Sequence, residues 1–302
     1  MKLLVLYNMS SGLRDAAVFD YIRMLMDDGD EVTIRSSDGT TDIRTFLFDA
    51  DDYDAVAVSG GDGTIASIVH FLANTGIPVI PFPGGTANLL SMNLHSPTES
   101  HALVNMTRNR LVMDFDIGEI EFPDHRKYGF AIMAGAGYDA AIMQGAESGK
   151  KIFGPVAYLT SALANVNSPH SEITLDIDGE TIKTSGVGVL IVNFSKIQFD
   201  LPVVHDNLPC DGIFDIVVFH TRDALGLIPD LFAAILDRGG DYPNRSDVLQ
   251  TMRGRNIRID ADPPLPVQFD GEVIDRTTPF KVRMLPAGAR FIVSDDCVKA
   301  YG

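Results

Sequence analysis

The sequence predicts an α/β domain built on a parallel sheet, followed by a second domain rich in β-strands. Two observations support this fold class. Strand and helix patterns alternate in the first half of the chain, whereas short β-branched runs separated by turn signals dominate from about residue 112. The length of 302 residues suits two domains of ordinary size. We therefore expect domains over residues 1–118 and 119–302, with the C-terminal tail able to return to the first.

The first domain is predicted to contain four strands that alternate with helices. The strands span residues 2–7, 31–35, 54–58 and 77–81. Apolar residues at helical spacing indicate helices over residues 14–28, 41–48 and 65–72. Repeated strand–helix units form a parallel sheet with helices on both faces, so the carboxyl ends of the strands lie at one edge.

The second domain is predicted to consist mainly of β-structure. Its strands span residues 111–120, 128–134, 173–177, 187–194, 214–219, 256–259, 266–269, 280–285 and 291–294. Helical stretches are expected over residues 140–165 and 224–236. The dipeptides Asp178-Gly179 and Asp270-Gly271 each indicate a tight turn.

Charge and composition exclude several classes of protein. The net charge of −17, from 41 acidic and 24 basic residues, argues against nucleic acid as a partner and against electrostatic docking on an anionic membrane. The basic cluster of Arg253, Arg255 and Arg258 is interpreted as a solvated strand face. No apolar run is long enough to span a membrane. The two cysteines, Cys210 and Cys297, indicate buried free thiols and a cytoplasmic protein.

The string Gly60-Gly-Asp-Gly-Thr64 lies between the third strand and the helix that starts near Ile65. Ligands bind at this end of the strands in α/β folds. Glycines such as Gly61 and Gly63 let backbone amides approach a phosphate closely, and the N-terminus of the following helix favours negative charge. The string therefore predicts a phosphate-binding loop.

Two further loops follow strands of the same predicted sheet. The segment Asn8–Gly12 follows the first strand, and residues 81–88, with the sequence PFPGGTAN, follow the fourth. The hydroxyls, amides and exposed backbone of all three loops could converge on one polyphosphate. The lysine-containing motif GxxxxGK[ST] is absent from the sequence, so a nucleoside triphosphate would be bound without that lysine.

Three carboxylates are candidates for the chemistry. Because a carboxylate repels a bare phosphate, Asp62 either orients its loop, holds a water bound to Mg²⁺, or takes a proton. Asp270 and Glu272 stand on one tight turn in the string FDGE, where they could point to the same side. A carboxylate is the group that accepts the hydroxyl proton in phosphoryl transfer. The residues themselves leave more than one carboxylate open as the base.

The ordered set of motifs resembles the diacylglycerol kinase catalytic family of bacterial lipid kinases, which are relatives of sphingosine and ceramide kinases. The matching segments, which run through most of the chain, are Asn8–Gly12, SGGDGTI, PGGTANLL, Gly135–Asp139, Asp211–Asp215, Asp270–Glu272 and VRMLPAGARFIVS. The string GGDGT alone is shared with NAD kinases. The ordered set is much more specific to the lipid kinases.

The resemblance implies a Rossmann-like nucleotide-binding domain, of the type found in NAD kinases and lipid kinases, and a β-sandwich lipid domain, with the site in the cleft between them. It implies that Glu272 is the general base, with Asp270 and Asp62 as further candidate catalytic residues. The implied ATP-binding residues are Asn8, Ser11, Gly12, Gly60, Gly61, Asp62, Gly63, Thr64, Thr86 and Asn88. The implied Mg²⁺ ligands are Leu208, Asp211 and Ile213, of which the apolar two would bind through their carbonyls.

The function implied is an ATP- and Mg²⁺-dependent lipid kinase that phosphorylates a primary hydroxyl of a diacylglycerol-like or ceramide-like lipid, reached by peripheral contact with a membrane. A homodimer is left open. An NAD kinase-like enzyme is one alternative. A non-enzymatic nucleotide or lipid sensor is another, because Ala66, Ser67 and Leu89 depart from the residues that the family often has. An NAD-dependent oxidoreductase is disfavoured, since its fingerprint at Gly135–Ala140 lies in the β-rich half.

Overall fold

The computed structural model describes residues 1–9, 16–85, 87–137, 170–197, 201–204, 206–220 and 249–302. The helices predicted over residues 140–165 and 224–236 lie outside these ranges. The chain divides into two compact units. The first comprises Met1–Ile117, Leu208–Asp211 and Leu285–Gly302, and the second comprises Gly118–Asn207 and Gly212–Met284.

The first unit is an α/β domain with a parallel sheet. Its first four strands are β1 (Lys2–Asn8), β2 (Glu31–Ser37), β3 (Ala55–Gly60) and β4 (Val79–Pro83). They lie in the order β2-β1-β3-β4, and every neighbouring pair is parallel. Near the end of the chain, Phe291 pairs in parallel with Val79 of β4. The parallel sheet predicted from strand–helix alternation is therefore confirmed.

Helices cover this sheet. They are α1 (Ala16–Asp27), α2 (Arg44–Leu47), α3 (Asp62–Phe71), α4 (Leu89–Asn93), α5 (Ser100–Asn109) and α6 (Asp295–Tyr301). Leu3 and Val5 of β1 share a core with Tyr21 of α1 and Leu103 of α5. Because successive side chains of a strand alternate in direction, Leu4 and Leu6 face the opposite side, where they are also buried. Among the described helices, none combines the length and apolar character needed to cross a bilayer.

The second unit is a sandwich of antiparallel strands. These are β5 (Val112–Glu121), β6 (Lys127–Phe130), β7 (Met133–Gly137), β8 (Ser171–Ile177), β9 (Glu180–Gly186), β10 (Gly188–Val192), β11 (Lys196–Ile197), β12 (Leu201–Pro202), β13 (Phe214–Phe219), β14 (Leu249–Gly254), β15 (Asn256–Asp262), β16 (Pro266–Phe269), β17 (Glu272–Thr277) and β18 (Phe280–Ile292). The division between units falls within β5 and within β18.

Two sheets enclose one core in this unit. One sheet has the order β18-β15-β8-β9, with β5 beside β18 and β6 beside β5, and the other has the order β14-β13-β10-β7-β16-β17. Leu175 and Ile259 from the first sheet share a single buried cluster with Val189 and Ile216 from the second. The β-sandwich implied by the resemblance is therefore confirmed.

Some elements differ from the sequence prediction. The strands predicted at 280–285 and 291–294 form one strand of 13 residues, β18. It continues past Pro286 because Ala287 takes a left-handed backbone (φ 48°) and its amide binds Asp116. Strands β9 and β17 were not predicted, since both are polar strands at sheet edges and lack an apolar run. The helix predicted over 41–48 is helical only at Arg44–Leu47.

Candidate functional site

Three loops leave the carboxyl ends of neighbouring strands in the first unit. The register pairs Tyr7 with Ser59 across β1 and β3, and Ser59 with Phe82 across β3 and β4. The strand ends are therefore level, and the loops that follow them lie at one edge of the sheet. This is the edge at which ligands bind in parallel α/β folds.

The glycine loops after β3 and β4 contact each other through their backbones. A Cβ atom built on Gly85 would lie 2.9 Å from the Cα atom of Gly61 and 3.1 Å from the carbonyl oxygen of Gly60. A Cβ atom on Gly84 would lie 2.6 Å from Oγ of Ser59. Glycine at position 85 permits this backbone approach, so the sequences GGDGT and PGGTAN are matched to one another.

Gly61 faces open space. A Cβ atom built there would have no heavy atom within 4 Å beyond its chain neighbours. Gly61 is also the N-cap of α3 and has no side-chain acceptor for the first amides of that helix. The backbone at this point can thus be approached closely, and the amide groups and helix dipole favour an anion.

The loop after β1 is tied to the same structure. Nδ2 of Asn8 donates a hydrogen bond to Oγ1 of Thr64 at 2.9 Å, and Asn8 is buried. Thr64 lies in the first turn of α3, directly after Gly63, which is also buried. Of the other predicted residues of these loops, Ser11, Gly12 and Thr86 lie outside the described residues. The structure therefore brings together the described parts of all three loops.

Asp62 joins two helices. Its Oδ2 accepts the amide of Leu89 at 3.1 Å and its Oδ1 accepts the amide of Leu90 at 3.0 Å. These amides belong to the first turn of α4, so the first turn of α3 is fixed to the start of α4. Burial raises the pKa of Asp62 above its ordinary value, and the two amides oppose that rise. These are the contacts of a loop-organising carboxylate.

Asn88 shapes the second glycine loop from within. Its Oδ1 accepts the amide of Gly85 at 2.7 Å, and its own backbone is left-handed with φ 51°. Asparagine tolerates that conformation better than most residues. Leu89, which stands where the family often has an aspartate, is buried, as is Ala66 of α3, whereas Ser67 is exposed.

Asp270 lies in the second unit with its carboxylate engaged by backbone. Oδ2 accepts the amide of Ala131 at 2.7 Å, while Oδ1 accepts those of Ile132 and Met133 at 2.8 and 3.0 Å. The residue is 5% exposed. A buried carboxylate that accepts three amides anchors the surrounding structure.

Glu272 stands two residues further along and is exposed. It pairs with Phe269 across the turn Asp270-Gly271, whose φ values of 46° and 87° fit a type I′ hairpin. The turn predicted from the Asp-Gly dipeptide is thus present, and it joins the two strands of a hairpin. Asp270 is held inward, and Glu272 opens β17 at the surface, so the two carboxylates have different environments.

The implied Mg²⁺ ligands lie on the segment 208–213. Leu208 and Asp211 are exposed, and Gly212 between Asp211 and Ile213 has a positive φ of 74°. The donor set of one carboxylate and two carbonyls consists of hard oxygens, which suits Mg²⁺ with water completing the shell. Within the described ranges, no group of three or more His, Cys, Asp or Glu side chains is gathered as a metal site.

Two features of the first unit were not predicted. Asp116 is buried, its Oδ1 accepts the amide of Ala287 at 2.7 Å, and its own amide donates to the carbonyl of Pro209 at 2.9 Å, next to the implied Mg²⁺ segment. These partners are distant in sequence and leave no local signal.

The second feature is the loop after β2. It lies at the ligand edge, because Asn8 pairs with Ser37, and its Asp38 accepts two amides. This loop follows a strand that was predicted to belong to the parallel sheet, so its place at the ligand edge could have been predicted.

The two remaining sequence features have structural explanations. Gly137, in the segment that resembles a dinucleotide fingerprint, closes β7 in an antiparallel sheet, and a Cβ atom there would lie 2.3 Å from the carbonyl oxygen of Val187. That glycine is required by packing. In the basic cluster, Arg253 bonds Asp215 at 3.1 Å and Arg258 lies 3.7 Å from Asp260, both on half-exposed strands.

Comparisons with known proteins agree with these observations. Two family models match the chain: the diacylglycerol kinase catalytic domain over residues 2–120, and the YegS C-terminal NAD kinase beta sandwich-like domain over residues 132–293. A Staphylococcus carnosus (strain TM300) protein named "Putative lipid kinase" is 25% identical over 279 residues, which cover 88% of this chain and 87% of that protein.

Two further similarities concern a longer protein and a solved structure. An uncharacterised Synechocystis protein, sll0036, is 28% identical over 238 residues, which are 76% of this chain and 53% of that protein, so the chain spans about half its length. A structure from Bacillus anthracis str. Sterne, titled "The crystal structure of a diacylglycerol kinases", superposes with a TM-score of 0.73 at 18% identity and covers 98% of both chains. At that identity the superposition supports the fold.

Proposed function

From the premise that the chain belongs to the diacylglycerol kinase family, we propose that it is an ATP- and Mg²⁺-dependent lipid kinase. Its acceptor is a primary hydroxyl on a diacylglycerol-like or ceramide-like lipid, which it meets by peripheral contact with a membrane. The observation that carries the proposal is the pair of glycine loops, packed backbone to backbone, with Gly61 open to the outside.

The residues of the first unit would bind ATP through its phosphates. Gly60, Gly61 and Gly63 offer backbone amides and the N-terminus of α3, and Thr64 offers a hydroxyl already oriented by Asn8. Asp62 and Asn88 hold the loops in shape by their bonds to Leu90 and Gly85. Asp62 is therefore assigned a positioning role rather than that of base.

Glu272 is assigned as the general base. A carboxylate must reach the acceptor hydroxyl to take its proton, and Glu272 is exposed at the start of β17 whereas Asp270 is committed to three amides. We assign Asp270 to positioning. Leu208, Asp211 and Ile213 would hold Mg²⁺, which when bound supplies positive charge and fixes their segment.

A cavity along β17, the strand that Glu272 opens, supports an acceptor of some length. Ile274, Asp275 and Arg276 of β17 line this open cavity of about 530 Å³ together with Tyr128 and Arg126. A lipid whose hydroxyl meets Glu272 could pass its polar backbone over Ile274.

The proposed function is tested by incubating the purified protein with γ-labelled ATP and Mg²⁺ in the presence of a total lipid extract. We expect label in a lipid product whose identity then names the acceptor. ATP binding without lipid-dependent ADP release would support the nucleotide sensor instead. In a parallel incubation with NAD added, transfer of label to NAD, with none to lipid, would support the NAD kinase-like alternative.

A further inference from the structure

A buried turn of the backbone lies next to Asp270 in the second unit. Ala131 and Ile132 connect β6 to β7, and with Met133, the first residue of β7, they form a segment that we name the bend. All three residues are at most 5% exposed. Buried amide and carbonyl groups require hydrogen-bond partners, and this applies to all six backbone polar groups of the bend.

The amide side of the bend is satisfied by one residue. The carboxylate of Asp270 accepts all three amides, and the amide of Asp270 in turn donates to the carbonyl of Met133 at 2.9 Å. The position of Asp270, and with it the turn of the β16–β17 hairpin, therefore depends on where the bend lies.

The carbonyl side is held by the end of β10. Nδ2 of Asn193 donates to the carbonyl of Ala131 at 2.7 Å. The backbone amides of Asn193 and Phe194 both donate to the carbonyl of Ile132, at 2.9 and 3.0 Å. Asn193 is 1% exposed, so its side chain is fixed in this place. With these bonds, each of the six groups of the bend has a partner.

We propose that Asn193 is a positioning residue for Glu272, acting through the bend and Asp270. The path is short at every step: Asn193 fixes the carbonyls of the bend, the bend fixes the carboxylate of Asp270, and only Gly271 separates Asp270 from Glu272. The turn pairs Phe269 with Glu272, so a shift of the turn is a shift of the carboxylate. The proposal rests on the proposed function, in which Glu272 accepts the hydroxyl proton.

A purely structural role for Asn193 predicts a different result. In that case its loss would lower the stability of the sandwich, and the molecules that remain folded would phosphorylate lipid with the normal kcat. A positioning role predicts a lower kcat per folded molecule. It also leaves ATP binding unchanged, because the bend belongs to the second unit and the glycine loops to the first.

The test uses Asn193→Asp and the milder Asn193→Ser, both of which remove the Nδ2 donor. The control is Ser195→Ala, which removes another buried side chain near the end of β10, one that bonds Val204 instead of the bend. We expect kcat for lipid phosphorylation to fall by about 10- to 100-fold in the Asn193 variants, the loss expected when a catalytic group moves by about 1 Å. The Kd for ATP should stay unchanged, and Ser195→Ala should keep its kcat per folded molecule.

Hydrogen exchange tests the same path without turnover. In Asn193→Ser, the amides of residues 271–274 should exchange faster than in the wild type and in Ser195→Ala. Unchanged exchange there, or a normal kcat per folded molecule in both Asn193 variants, would overturn the proposal. If the wild type transfers no phosphate to lipid, the proposed function fails, and the exchange result alone still decides whether Asn193 positions the hairpin.

Discussion

The carboxylate of Asp62 accepts the backbone amide of Leu90 at 3.0 Å, which joins the first turn of α3 to the first turn of α4. The glycine loops that precede these helices contact each other at the same place, where Gly85 meets Gly61. The loops are therefore one structural unit, although they lie more than twenty residues apart in the chain. A change in either loop should alter the phosphate site as a whole.

Asp62→Asn should loosen this unit. The amide side chain keeps one acceptor, but its NH₂ group faces a backbone amide, which leaves a donor without a partner and costs about 1–3 kcal/mol. We expect that loss in the free energy of urea unfolding. The Kd for ATP should rise about tenfold if about 1.4 kcal/mol of this loss appears in the free energy of ATP binding. A base would behave differently: the variant would keep both its stability and its ATP affinity and lose only turnover.

Gly85→Ala should disturb the contact between the loops directly. Its new Cβ atom would lie 2.9 Å from a backbone atom of Gly61, which cannot move aside as a flexible side chain would. We expect the free energy of unfolding to fall by about 1–3 kcal/mol, as in other overpacked sites. Gly61→Ala is the matched control, because its Cβ atom enters open space, and its stability should change by less than about 0.5 kcal/mol. Equal stability of the two variants would refute the packing of the loops.

Substitutions of the two carboxylates of the FDGE turn should have different effects, one mainly on kcat and the other on stability. Glu272→Gln changes an exposed side chain, so kcat should fall by at least about 100-fold with little change in stability. Asp270→Asn should lose about 1–3 kcal/mol of stability, because one of three buried amides loses its acceptor. Differential scanning calorimetry and steady-state kinetics measure the two effects.

Asp178→Asn is the control for Asp270→Asn. Asp178 also starts an Asp-Gly turn, has a left-handed backbone (φ 51°), and accepts the amides of Arg255 and Asn256 at 2.9 Å. It lies between β8 and β9, so the same chemical change occurs away from Glu272. We expect it to lower stability and to leave kcat per folded molecule unchanged. A loss of kcat there equal to that in Asp270→Asn would remove the positioning role of Asp270.

The stability of the first unit should depend on the ionisation of Asp54. The amide of Lys2 and the guanidinium of Arg110 lower the pKa of this carboxyl below its ordinary value. The charged form is thus favoured by folding, and its contribution is complete above the unfolded pKa of about 3.9 and disappears as the pH falls through the folded pKa. Both side chains are more than a third exposed, so solvent screens the pair.

Asp54→Asn should therefore lower the free energy of unfolding by about 0.5–1 kcal/mol at pH 7. The difference from the wild type should shrink to nothing as the pH is lowered below the folded pKa. Urea unfolding at a series of pH values measures this, with Asp51→Asn, an exposed neighbour, as control. A difference that stays constant with pH would contradict an ionisation effect.

The sequence was sufficient for features that are local. The spacing of apolar residues and the turn-forming residues located β1 to β4, and the dipeptide Asp270-Gly271 located the β16–β17 turn. Each of these features depends on residues that are neighbours in the chain. The edge strands β9 and β17 were missed, since a polar strand at a sheet edge has no apolar run to reveal it. Helix α5 was also missed, because its N-cap, Glu99, makes no side-chain capping bond and only Leu103, Val104, Met106 and Thr107 of its ten residues are buried.

The partners of the charged residues could not be predicted. The same string GGDGT left Asp62 with three interpretations, and only its bonds to the amides of Leu89 and Leu90 favour the organising one. Asp270 accepts amides that lie 137–139 residues away in the sequence, and Asn193 bonds Ala131, which lies 62 residues away. Such contacts depend on how the sheets pair, which local spacing does not encode.

The most direct test of the central claim is an ATP titration, with Mg²⁺ present, of the wild type, Gly61→Val and Ser67→Val. Valine at position 61 would fill the open space that we assign to the phosphates. Ser67 is exposed on α3, so Ser67→Val introduces the same side chain outside the loop. We expect Gly61→Val to stay folded and its Kd for ATP to rise by at least about tenfold, while Ser67→Val binds ATP like the wild type. An unchanged Kd in folded Gly61→Val would refute the phosphate site at Gly61.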